Sequence, residues 1–200
     1  MNAKLFLSLT AATVTIATAA PAQAFEFGTG GIKFESDTAV NFTFKSSQGA
    51  FTSALGVFDA AGTTKLANLF YETKASNNGA NNDHRGTFGN AVTSDSGLNP
   101  VSFLFKGGIE YTLGLVSDNG TVFSTNTLNT AGFQQAIFGG GSVFKAGGIS
   151  IAFDDRGNND DADFNDFRLQ AEAVPEPLTM GGIALAGAGL AYARRQRRAV

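Results

Sequence analysis

Apolar and polar residues alternate with a period of two in five separate places along this chain. The sets are Val40, Phe42, Phe44; Val101, Phe103, Phe105; Ile109, Tyr111, Leu113, Leu115; Ile149, Ile151, Phe153; and Phe167, Leu169, Ala171, Ala173. A strand turns successive side chains to opposite faces, so each set predicts a strand with one greasy side. Asn78-Gly79, Gly107-Gly108, Asn119-Gly120 and Gly147-Gly148 separate the sets and supply turn chemistry. Many short strands at this spacing predict an all-β fold, an antiparallel β-sandwich of jelly-roll-like kind. No long amphipathic helical period competes with it. Residues 64–73 and 130–137 are the only short helical candidates, and each reads equally well as strand or loop. Residues 76–89 are polar and predict a long loop.

Two stretches echo one another, Phe105-Lys106-Gly107-Gly108-Ile109 and Phe144-Lys145-Ala146-Gly147-Gly148-Ile149. Shared hairpin chemistry accounts for them without a repeat.

Both ends of the chain break the pattern. The first 24 residues place Lys4 before an apolar run over 5–20 and close on Ala22-Gln23-Ala24, the layout of a cleaved signal peptide, so the mature protein is expected to begin at Phe25. At the other end Val174, Pro175, Glu176 and Pro177 precede a glycine-rich apolar stretch over 178–193, followed by Arg194, Arg195, Gln196, Arg197 and Arg198. An apolar span closed by arginines stops translocation with its basic end in the cytoplasm. As a helix the span reaches only about 24 Å, against about 30 Å of hydrocarbon, which suits a transient anchor as well as a single-pass one.

These features assign residues 1–24 to a signal peptide, 25–173 to one extracytoplasmic domain and 174–200 to a C-terminal sorting segment with a single transmembrane helix. The domain holds nine Lys and Arg against sixteen Asp and Glu, a net charge of −7. That balance argues against nucleic acid and anionic membranes as partners. With no cysteine, the domain is held by packing or bound ions rather than disulfides. Of the chain's nineteen phenylalanines all but Phe6 lie in the domain, where they supply apolar bulk.

The last segment resembles the PEP-CTERM sorting signal of bacterial surface proteins, through Val174-Pro175-Glu176-Pro177, the glycine-rich span and the closing arginines. The resemblance implies a substrate of an exosortase-type membrane enzyme. Pro175, Glu176 and Pro177 would be the recognised motif, and Arg194, Arg195, Arg197 and Arg198 the stop. It further implies transient anchoring in the inner membrane, then a place at the cell surface or outside the cell, often beside extracellular polysaccharide.

Candidate chemistry concentrates in residues 154–166, where Asp154, Asp155, Asp160, Asp161, Asp163 and Asp166 put six carboxylates within thirteen positions. Like charges about 5 Å apart repel by about 3 kcal/mol at an effective dielectric of 20, so such crowding needs open water or a cation. The hard oxygens of Asp154, Asp155, Asp161, Asp163, Asn165 and Asp166 suit Ca2+; zinc and copper lack their preferred ligands here. Asp161-x-Asp163-x-Asn165 is spaced like the start of a calcium loop, but an EF-hand's glycine, terminal glutamate and helical flanks are missing. A solvated acidic loop is the plain alternative, with Phe164 expected to face inward and pin it. Asp161, Asp163, Phe164, Asn165 and Asp166 also resemble the closing motif of a bacterial family, domain of unknown function 4114. That resemblance implies a β-rich extracellular module without an assigned activity.

An enzyme fits poorly. His84, the one histidine, lies in the polar loop, and no G-x-S-x-G is present. Asp154 and Asp163 are the best pair for a glycoside hydrolase, but crowded aspartates bind cations more readily than they divide into acid and base, and no tryptophan offers a platform for sugars. The reading that results is a non-enzymatic, calcium-stabilised surface or matrix protein. The alternative is a calcium-dependent carbohydrate-binding or adhesion module that would use Tyr71 or Tyr111.

Overall fold

A computed structural model of the chain describes residues 25–49, 51–73, 84–155 and 162–175. The signal-peptide expectation, and the sorting segment from Glu176 onward with its apolar span and arginines, lie outside the described residues.

Among the described residues there are thirteen strands: β1 (Phe25–Gly28), β2 (Gly31–Phe34), β3 (Thr38–Gly49), β4 (Ala54–Asp59), β5 (Lys65–Glu72), β6 (His84–Gly86), β7 (Val92–Thr93), β8 (Val101–Phe105), β9 (Glu110–Ser117), β10 (Gly120–Phe123), β11 (Ala136–Gly139), β12 (Ile149–Phe153) and β13 (Phe167–Ala173). They form two sheets. One runs β1-β2-β9-β4-β5-β7, with β10 also on β9; the other runs β11-β12-β13-β3-β6, with β8 also on β3. Every pairing between these strands is antiparallel. One apolar core joins the inner faces of both sheets, the architecture of a β-sandwich.

The alternation explains the second sheet directly. Phe42 and Phe44 on β3, Phe105 on β8, Phe153 on β12 and Phe167 on β13 all reach the core. Phe105 sits within 5.3 Å of Phe34, 5.2 Å of Tyr111 and 4.8 Å of Phe103, centroid to centroid, so one ring stitches both sheets together. Burying a side chain of this size stabilises the fold by about 1.5–3 kcal/mol.

The first sheet is less legible because its inner strands are irregular. Pairing of β4 with β5 shifts register between Leu55 and Gly56 and again between Val57 and Phe58, so four consecutive residues, 55–58, are buried and no period of two survives. Residues 64–73 contain strand β5, not a helix: β4 and β7 hold it from either side. Residues 130–137 hold a 3-10 turn over Thr130–Gly132 and then the start of β11. The expected polar loop is also shorter at its far end, because His84–Gly86 pairs with β3.

Of the two echoing turns, both bend through positive-φ glycines, Gly108 at 75° and Gly148 at 62°. Their hydrophobic residues exchange roles, however. Phe105 and Ile149 are buried, whereas Ile109 and Phe144 are exposed.

The register separates two ends of the sandwich. Strand β13 begins with Phe167 opposite Ser47 and ends with Ala173 opposite Val40, a run of about 20 Å at the usual rise. Both described termini lie at the Ala173 end: the amide of Val174 donates to Ala39 at 2.8 Å and that of Ala173 to Val143 at 2.6 Å. Phe144, next along, meets Phe25 ring to ring at 4.8 Å. The opposite end gathers the carboxylates.

Candidate functional site

Strand pairing assembles the acidic end. Phe153 and Phe167 face each other across β12 and β13. The residues just beyond, Asp154 and Asp155 on one side and Asp166 on the other, are therefore neighbours although eleven or twelve positions separate them. Each of the three offers a carboxylate oxygen within 4.8 Å of the others. Asp154 and Asp155 are buried and Asp166 is half-buried.

Backbone bonds fix this geometry. The amide of Asp154 donates to the Gln135 carbonyl at 3.0 Å, that of Asp166 to the Phe153 carbonyl at 3.1 Å, and that of Gln48 to the Asp166 carbonyl at 3.0 Å. The Asp155 amide donates to Oδ2 of Asp166 at 2.9 Å. Burial, first, and then the charge of Asp155 push the Asp166 carboxyl up to about 7; Asp154 and Asp163 add to the rise, and the hydrogen bond from the Asp155 amide opposes it. A carboxyl so placed keeps its proton through mildly acidic pH.

Residues from distant parts of the chain complete the end. Ser53, entering β4, donates its hydroxyl to Oδ2 of Asp155 at 3.3 Å. Glu72, closing β5, accepts from the Ser53 amide at 2.8 Å and from the Ser47 hydroxyl of β3. The acidic end is thus where the sheets are bonded across, through Glu72 to β3 and through Ser53 to Asp155. Gly49 closes β3 with φ of 142°, and a Cβ there would lie 2.6 Å from Oδ1 of Asp166. Only a glycine lets the strand end so near the carboxylate.

The six residues singled out from the sequence fall into three groups. Asp154, Asp155 and Asp166 converge. Asp163 and Asn165 bond to each other, the Asn165 amide donating to Oδ1 of Asp163 at 3.2 Å and its side-chain amide to Oδ2; Asp163 is exposed. Asp161 lies outside the described residues. Phe164 between them is half-buried at φ of 50° and its carbonyl accepts from Nε of Arg168 at 3.2 Å.

Sequence reasoning missed Gly49, Ser47, Ser53 and Glu72. The only local signal was the glycine that ends the alternating run of β3. The rest are common polar residues whose role depends on which strands pair.

For the other candidate chemistry, Tyr111 is buried and its hydroxyl accepts from the Lys106 amide at 3.1 Å, which removes it as a sugar platform. Tyr71 is half-buried, beside Glu72. The backbone of His84 pairs with Gly49 at the acidic end. Asp154 and Asp163 differ sharply in exposure, the first buried and the second open. Among the described residues no helix is long and apolar enough to cross a membrane. Val174 and Pro175 are the described part of the sorting motif, both exposed.

Set against known proteins, the chain matches no family model, no curated protein and no solved structure.

Proposed function

We propose that the chain is an exported, non-enzymatic surface or matrix protein, sorted through its C-terminal segment as PEP-CTERM proteins are, with a sandwich domain clamped by Ca2+ at the acidic end. The observation that carries the clamp is the convergence of Asp154, Asp155 and Asp166 within 4.8 Å. The donors there are hard oxygens, and a flexible set of carboxylates is what Ca2+ takes. Export rests on the two apolar ends of the sequence, with the arginines closing the second. In this reading a processing enzyme of exosortase type acts near Val174-Pro175-Glu176-Pro177.

The ion's role is mechanical. Asp154 and Asp155 follow β12, Asp166 precedes β13, and Ser53 ties Asp155 to the other sheet. Neutralising the carboxylates holds the strand ends together and relieves the repulsion that, after burial, raises Asp166.

A melting experiment tests it. With dissociation constants near those of extracellular calcium modules, about 10⁻⁴ M, millimolar Ca2+ stabilises the fold by about 1.4 kcal/mol. For a domain of this size that raises Tm by about 3–6 °C. Residues 25–173 are expected to melt higher in Ca2+ than in chelator, and Asp155→Asn to abolish the difference. Superimposable curves in the two buffers would sink the clamp. Mass spectrometry of the protein recovered from cells tests the export: ends near residues 25 and 174 are expected, and an untrimmed chain in the cytosol refutes it.

A calcium-dependent glycan-binding role is the alternative, with Tyr71, half-buried on β5, as its remaining aromatic candidate. Retention on isolated extracellular polysaccharide that chelator abolishes would distinguish it from a purely structural role.

A further inference from the structure

The end of the sandwich opposite the carboxylates carries the exposed apolar side chains of Phe25, Ile109, Phe144 and Val174, which are 37%, 51%, 46% and 39% exposed. Five bonds and contacts show that they share one end. Phe25 pairs with Phe34, whose carbonyl accepts from Gly108 at 2.8 Å. Phe144 touches Phe25, and Val143 and Ala39 receive the amides of Ala173 and Val174. Phe25 and Phe34 also line a depression of about 480 Å3, with Glu26, Lys33, Glu35 and Gly108. Lys145, exposed beside Phe144, adds the pairing of an aromatic ring with a lysine that suits a lipid-water boundary.

Chain length supplies the occupant. From Val174 to Leu178, where the apolar stretch begins, is four residue steps, and a fully extended chain spans at most about 14 Å over them. The headgroup layer on one side of a bilayer is about 5–8 Å thick. A span that as a helix is about 6 Å shorter than the hydrocarbon core draws its flank further inward. While residues 178–193 are in the membrane, this end of the domain has no room to stand off from it.

We propose that the end bearing Phe25, Ile109, Phe144 and Val174 is a membrane-interface docking surface, which seats the domain on the lipid while the C-terminal segment is inserted and turns the acidic end outward. The contact is made by apolar side chains, so it does not need the positive charge that the domain lacks. The inference rests on the proposed insertion of residues 178–193, and its test reads the two separately.

The chain has no tryptophan, so a single introduced one reports without background. Phe144→Trp marks the docking end, and Asn119→Trp marks the β9–β10 hairpin near the acidic end. Each full-length variant is reconstituted into vesicles of phosphatidylethanolamine and phosphatidylglycerol, part of the lipid brominated on its upper acyl carbons. Protease digestion that leaves residues 178–193 protected reports insertion. With insertion, the tryptophan at 144 is expected to emit further to the blue and to be quenched several-fold more than that at 119, and Ile109→Ser to reduce its quenching. Insertion with equal quenching at both positions overturns docking and leaves the anchor standing. A blue shift at 144 without bromine quenching overturns it too, in favour of contact between two copies of the chain. Absence of a protected fragment overturns the anchor and the docking with it.

Discussion

The two ends of this sandwich are held by different physics. At the end where Phe25 and Val174 lie, rings meet rings: Phe25, Phe34 and Phe144 pack within 6.1 Å of one another, and Phe105 sits behind them against Phe34. Such contacts do not depend on pH or ions. At the other end Asp154, Asp155 and Asp166 are drawn together as strands β12 and β13 pair, and their ionisation opposes the pairing that gathers them; in the proposed reading a cation relieves that opposition. One end of the domain is held mainly by ring packing and the other crowds carboxylates, although the same strands run through both.

Substitutions sharpen the contrast. The largest effect is expected from Phe105→Ala, which removes the ring between the sheets and costs about 3–5 kcal/mol, read from the denaturant midpoint. If the ends are independent, the variant still gains stability from Ca2+; loss of that gain would show them coupled. Next comes Gly49→Ala. Its Cβ would meet Oδ1 of Asp166 at 2.6 Å on a backbone that side chains rarely adopt, so a loss of about 1–3 kcal/mol is expected. Here the calcium response should weaken as well, measured as the Tm difference between Ca2+ and chelator. A fully retained response would place the ion away from Asp166.

A pH titration probes the acidic end through Asp166. The carboxyl of Asp166 is raised in the folded state, from an ordinary value of 3.8 to about 7. Its stabilising contribution is therefore complete below about pH 4 and lost as pH climbs through about 7. In chelator, the Tm of the wild-type domain is expected to rise, in the part due to this group, as pH falls from about 8 towards 5. Asp166→Asn should flatten that trend, and an unchanged slope in the variant would rule out Asp166 as its source. The smallest effect belongs to Asp37→Ala at the other end. Asp37 pairs with Lys106 at 2.7 Å and accepts the Gly107 amide at 3.0 Å, but both side chains are more than half exposed. Water and salt screen such a pair, so the melting curve should barely move and the calcium response not at all.

How much of this was legible in the sequence follows from regularity. Four of the five alternating sets became β3, β8, β12 and β13 of one sheet, because a strand with one buried face keeps its period. Strands β4 and β5 were hidden by register shifts that bury consecutive residues. The acidic cluster was visible as composition, and its members Asp154, Asp155 and Asp166 were named from it. Nothing local distinguished them from Asp163, which stays exposed on a turn of its own with Asn165.

By itself, the sequence determined the all-β class, the absence of disulfide staples and the place where negative charge gathers, since periodicity and composition are local properties of the chain. Tertiary structure decided which carboxylates converge, that Gly49, Ser53 and Glu72 stand with them, and that Phe25 and Val174 leave from the same end. Those facts depend on which strand lies beside which. Antiparallel pairing converts distance along the chain into contact, and it is the register, not the residue spacing, that sets the partners.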